Sequence, residues 1–297
     1  MAQKTKTVKL VEPQIQKIEE SKKGLKRVVA VGRFSNETQY AKGVFYDKEN
    51  DPIGKQALDV LSAKLAESNK FILLERVDID QIEKELKLSN QNVMPTVGAE
   101  FLIIGSVTEY GRKVTGESNL SSRSKTQTVQ VAVNLRLVDV STGQVIYSEE
   151  GKGEAATTAK VSKFTGNGVV ADYDATLDDK AISAAISQLV ENIINRCSDK
   201  AWRAYFLSSD ENTTIVSCGK SQGVSVGDIF NIIEKGQKVT NPQTGMQIEL
   251  PGKIVGKIKI DVCGGDVPTN EWSIVSIIEG SIDKQNLTNY FIEEDKK

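Results

Sequence analysis

From Gln130 to Ser148 the chain alternates between apolar and polar positions. Val131, Val133, Leu135 and Leu137 are interleaved with Ala132, Asn134 and Arg136, the two-residue period of a half-buried strand. Ser141-Thr142-Gly143-Gln144 is a short polar connection into Val145-Ile146-Tyr147, so the pattern predicts a β-hairpin. Upstream, Arg27 to Val31, Phe71 to Leu74 and Phe101 to Val107 are short apolar runs that predict buried strands. Between them, Ala57, Leu58, Leu61 and Leu65 recur at helical spacing over Gly54 to Ser68. Ile79, Ile82 and Leu86 do the same after Asp78, a suitable N-cap. A third helix is predicted over Asp178 to Tyr205 from the stripe Ile182, Ala185, Ile186, Leu189, Ile193 and Ile194.

This β-α-β-α-β order, closed by the hairpin, predicts an α/β (α+β) domain with a mixed sheet and flanking helices over residues 27–205. Two extended β-hairpins grow from it, over 108–132 and 149–177. In the second, Gly151, Gly153, Ala155, Thr157, Ala159 and Val161 alternate with Lys152, Glu154, Lys160 and Ser162. Val169, Ala171 and Tyr173 continue the apolar side beyond a turn at Thr165 to Gly168. Each arm is about the ~10 residues that a membrane strand needs, which makes Val161, Val169, Ala171 and Tyr173 candidate lipid-facing positions. The first hairpin carries Arg112, Lys113, Arg123 and Lys125, which must face a lumen, a rim or water, because such a side chain at the bilayer midplane costs about 2–4 kcal/mol. The alternative is that both hairpins lie outside any bilayer.

Beyond Phe206 the pattern changes to short β-rich runs at Thr214 to Val216, Asp228 to Ile233, Ile254 to Val262 and Trp272 to Ile278, separated by Gly- and Pro-containing turns. This predicts a small all-β barrel domain over 206–280, followed by a charged tail at 281–297. Residues 1–26, rich in Lys, Gln and Glu, read as an extended N-terminal arm.

Composition narrows the chemistry. The chain has no histidine, which removes His-based triads and most catalytic zinc sites, and no Walker motif is present. Gly151-Lys152-Gly153 follows a strand without opening a helix, so it is not a dinucleotide loop. Asp172, Asp174, Asp178 and Asp179 offer either a cation site or, more simply, a cap and charge complementing a helix N-terminus. We therefore expect no enzyme, cofactor or metal. A net charge of −2 speaks against nucleic-acid binding. Met1 to Leu10 has no apolar h-region, so the expectation is either an intracellular protein or one whose leader has been removed. Of three cysteines, Cys197 reads as helix packing, while Cys218 and Cys263 end two β-rich runs and are a candidate disulfide in an oxidising compartment.

Several stretches resemble the CsgG family of outer-membrane curli secretion lipoproteins. These are Gln130 to Gly143 (QVAVNLRLVDVSTG), Leu74-Glu75-Arg76 with a helix ending in Leu86-Lys87, Phe101 to Tyr110 (FLIIGSVTEY), and Asn36-Glu37-Thr38 after the first strand. The resemblance runs from about Arg27 to Ala204. It implies a homo-oligomeric ring on the periplasmic side of the outer membrane, in contact with lipid, each protomer lending two hairpins to a shared barrel that passes a polypeptide or solutes passively. It also implies that the loop from Gln39 to Asp51 forms a constriction, with Tyr40, Phe45 and Tyr46 as its aromatic residues. The family's lipid-bearing N-terminal cysteine is absent here. The run Gly219 to Asp228 resembles a turn in the C-terminal barrels of flagellar assembly proteins. That opens a second reading, a lipid-anchored or unanchored periplasmic ring that binds an accessory protein and has no membrane-spanning barrel.

Overall fold

The computed structural model describes residues 24–38, 51–88, 98–118, 122–162, 174, 176–243, 245, 247–268 and 270–295. It is a mixed α+β structure with two separate hydrophobic cores. The first belongs to a five-stranded mixed sheet of β1 (Arg27–Asn36), β2 (Phe71–Leu74), β3 (Phe101–Ser118), β4 (Ser122–Asp139) and β5 (Gln144–Ser162) in the order β2-β1-β3-β4-β5. β1 runs parallel to β2 and β3, whereas β3, β4 and β5 form an antiparallel meander.

Helices α1 (Pro52–Glu67) and α3 (Thr176–Asp199) pack on one face of this sheet, and α2 (Ile79–Leu88) follows β2 at its edge. The strand alternation decides which residues meet the helices. Val29, Val31, Phe101, Ile103, Val133, Leu135 and Leu137 are buried against Leu61, Leu65, Ile182, Ile186 and Leu189. α3 lies close on β5 because Gly151 and Gly153 offer no side chain. A Cβ on Gly153 would sit 2.0 Å from the Ala181 carbonyl oxygen, and one on Gly151 would sit 2.4 Å from that of Ala185. Helix packing explains this Gly-x-Gly.

The second core fills a closed barrel in the order β11-β12-β7-β6-β13-β8, built from β6 (Arg203–Ser209), β7 (Thr214–Val216), β8 (Ile229–Glu234), β11 (Lys253–Gly264), β12 (Trp272–Gly280) and β13 (Tyr290–Glu293). β9 (Lys238–Thr240) and β10 (Gln247–Glu249) form a separate exposed hairpin.

Two expectations are corrected. α3 ends at Asp199 rather than Tyr205, because Trp202, Ala204 and Phe206 point into the barrel with a period of two. The segment read as a charged tail contains β13, whose Phe291 and Ile292 are buried and which pairs with β6 and β8. At the other end, Leu25 packs on the barrel core and Lys26 N–H donates to the Gln222 carbonyl at 2.8 Å.

Candidate functional site

Past Val107, β3 leaves the last partner residue of β1 and continues with β4 and β5 as a three-stranded ribbon. Successive rows across it are Arg112–Val129–Ala155, Val114–Gln127–Thr157 and Gly116–Lys125–Ala159. On the opposite face they are Lys113–Thr128–Ala156 and Thr115–Thr126–Thr158. The second face is polar apart from Ala156, with Gln130 Nε2 donating to Glu154 at 2.8 Å and the Thr126 and Thr158 hydroxyls 3.0 Å apart. The first face mixes Val114, Ala155 and Ala159 with Gln127 and the exposed Lys125. Among the described residues the ribbon has no partner strand on the outer edge of β3 beyond Val107, nor on the outer edge of β5. Such edges are templates for pairing with another chain.

The neck of the ribbon is a polar cluster. The Tyr110 hydroxyl donates to Asp178 at 2.5 Å, and Arg112 Nη1 lies 3.2 Å from the same carboxylate. Arg112 Nη2 donates to Gln127 Oε1 at 2.9 Å and to the Asp174 carbonyl at 3.0 Å. Asp174 in turn accepts from the Thr176 hydroxyl at 2.7 Å, and that bond holds its carboxyl below the usual range. The Arg112 side chain is only 9% exposed. This corrects the expectation that it faces a lumen, a rim or water; the first turn of α3 reaches over the ribbon and covers it. Asp174 and Asp178 at this helix start thus serve a hydrogen-bonded network. Among the described residues, no three acidic or Cys side chains are grouped as metal ligands.

At the same level, Glu37 N–H donates to the Val107 carbonyl at 2.9 Å. Here the two ends of the 39–50 segment are clamped together. Asp51 Oδ2 accepts from Asn36 N–H at 2.6 Å, and its Oδ1 caps α1 by accepting from Gly54 N–H at 2.9 Å. Asn36 Oδ1 accepts from the Thr38 N–H and hydroxyl at 2.9 and 2.6 Å. Asn36, Thr38 and Asp51 are all buried. Sequence reasoning did not single out this clamp, although Asp51-Pro52, an N-cap followed by a proline at the first helical position, signalled the start of α1.

Tyr40, Phe45 and Tyr46 lie outside the described residues, as do Val169, Ala171 and Tyr173. Val161 belongs to β5, where its backbone pairs with Arg123. Cys218 and Cys263 are free thiols. β12 runs between their strands, and Ser273 Oγ donates to the Cys218 carbonyl at 2.8 Å while lying 3.5 Å from Cys263 Sγ. Burial pushes the Cys218 thiol up to about 12. No described helix is long and apolar enough to cross a membrane, which leaves strands out of account.

The model of the family Curli production assembly/transport component CsgG matches residues 11–223, which include the sheet, the helices and β6 and β7, but not the later barrel strands. A Neisseria meningitidis serogroup B protein described as a lipoprotein, NMB1126/NMB1164, is 32% identical over 183 residues, 61% of this chain and 80% of that protein. Among solved structures, the lipoprotein GNA1162 of N. meningitidis is 16% identical with a TM-score of 0.27, covering 59% of this chain and 99% of that one. The PelC dodecamer of Paraburkholderia phytofirmans is 16% identical with a TM-score of 0.26, covering 57% and 87%. The chain belongs to the CsgG family.

Proposed function

We propose that this chain is the subunit of a homo-oligomeric ring of the cell envelope, in which the β3–β4–β5 ribbons of neighbouring copies join edge to edge around a central opening. The observation that carries this reading is the ribbon itself, an antiparallel sheet that outruns β1 with two open edges among the described residues and a buried neck holding it to the body. Backbone pairing across those edges satisfies otherwise unpaired donors and acceptors, and a head-to-tail arrangement closes as a ring. Asn36, Thr38 and Asp51 fix the base of the 39–50 segment beside the neck, which supports a role for that segment in narrowing the opening. The ring acts sterically, as a passage or scaffold for an extended polypeptide or an accessory protein, without an enzymatic step.

The ribbon favours water over lipid. Lys113, Thr115, Thr126, Gln130 and Glu154 occupy one face, and Gln127 with Lys125 interrupts the other, so neither face offers the continuous apolar band that a membrane strand presents. A second reading, a shared transmembrane barrel, is favoured by length. Thr108 to Ser118 of β3 matches the ~10 residues of a membrane strand. Mass photometry followed by planar-bilayer recording tests both. Large uniform particles without conductance support the aqueous ring, and stable unitary currents from the same particles replace it with the pore. A monomer at all concentrations overturns both.

A further inference from the structure

Resting on that ring, we propose that α2 of one copy docks on the β5 end of the open sheet face of the next copy. Apart from Val114 on the ribbon, the exposed large apolar side chains among described residues 24–200 fall into two groups. Val77, Ile82 and Leu88 lie on or beside α2, and Val140, Val145 and Ile146 lie at the turn and start of β5. The sheet order places these groups at opposite flanks, α2 following the edge strand β2 while β5 is the other edge. Two different apolar patches on opposite sides of one chain are what a head-to-tail contact needs, and a head-to-tail contact is what closes a ring.

Both surfaces are built for each other. α2 places Ile79, Ile82 and Leu86 at helical spacing, yet no residue of the helix is buried within its own chain. The receiving patch is the exposed Val145 beside the half-buried Val138, the β5 end of an apolar row that continues through Leu102 and the buried Ala30 to Leu74. It lies on the side away from α1 and α3, since the alternating neighbours Val29, Phe101 and Leu137 are the ones buried in the core. The start of α2 is acidic, with Asp78 and Asp80, while Arg136, opposite Ile104 and exposed, lies two residues from Val138. A helix lying on the face of an open sheet is also the ordinary way to bury such a row.

The two-sided nature of this contact gives it a diagnostic experiment. Ile82→Asp and Val145→Asp change side chains that are exposed in the single copy, so each variant keeps the wild-type circular dichroism spectrum. Each alone loses assembly, with at least a tenfold rise in apparent dissociation constant measured by analytical ultracentrifugation. Mixed together, they form pairs and stop there, because the intact α2 of the Val145→Asp chain meets the intact β5 flank of the Ile82→Asp chain. If the wild type forms a ring and either folded variant assembles as tightly, or the mixture gives no pairs, this contact is overturned while the ring stands. A wild type that stays monomeric overturns the ring and the contact together.

Discussion

Arg112 and Asp178 form an ion pair of 3.2 Å with side chains 9% and 18% exposed, tying the root of the ribbon to the first turn of α3. Tyr110 and Gln127 complete it, so the ribbon leaves the body at a fixed angle. Replacing Asp178 by Leu strands the Arg112 charge and is expected to cost about 2–3 kcal/mol, below the range for fully buried pairs because some solvent reaches this one. Adding Arg112→Met should recover part of the loss, since no unpaired charge remains. Urea unfolding of the two variants measures this; a double variant less stable than the single one would show that the pair is not what holds the neck.

Gly153 touches the Ala181 carbonyl so closely that a methyl group has no room. Gly153→Ala therefore must push α3 off β5 or bend the strand, and overpacking of this kind costs about 1–3 kcal/mol. Gly116, near the tip of the ribbon, meets nothing closer than 3.8 Å, so Gly116→Ala is expected to be neutral or slightly stabilising. Parallel thermal melts should separate the two variants clearly. Equal melting temperatures would mean that the helix contact is softer than the geometry indicates.

The contrast between what was legible in the chain and what was not has a physical basis. β4, β5 and α1 declare themselves through periods of two or about 3.6, because each has one face toward a core. The end of α3 was misplaced because Trp202 and its neighbours are apolar at the point where one core stops and the other begins. β13 was missed because two buried residues, Phe291 and Ile292, are too few to show alternation, and their partners on β6 and β8 lie far away in sequence. Arg112 reads from sequence as facing a lumen, a rim or water, because the ribbon's own pattern cannot reveal that the start of α3 arrives to pair with it. The two ends of the 39–50 segment are joined through Asp51, and only the capping half of its role is written locally.

The three thiols should differ sharply in reactivity. Burial pushes Cys197 and Cys218 up to about 12, whereas Cys263 is only half-buried. The thiolate is the reacting species, so native protein at neutral pH should take one equivalent of maleimide quickly, at Cys263, and three equivalents after denaturation. Fewer than three after denaturation without reductant would instead reveal the Cys218–Cys263 disulfide.

Asp139 ties the turn after β4 to the end of α3, accepting from Lys200 Nζ at 2.8 Å and from the Ser141 N–H and hydroxyl at 2.9 and 2.5 Å. Burial pushes its carboxyl up, but the bonds from Lys200 and Ser141 together outweigh burial and leave it below its ordinary value of 3.8. A carboxyl lowered by folding binds its proton more readily in the unfolded chain. Its contribution is therefore complete above about pH 4, begins to fade as the pH falls past 3.8, and is gone below the folded value. Lys200 is 38% exposed, which limits the effect to about 1 kcal/mol. Asp139→Asn should thus lower stability at pH 7 by roughly that amount and narrow its difference from the wild type as the pH approaches 3. Urea midpoints measured between pH 3 and 7 on both proteins decide it, and parallel curves across that range would assign the acid sensitivity to other carboxylates.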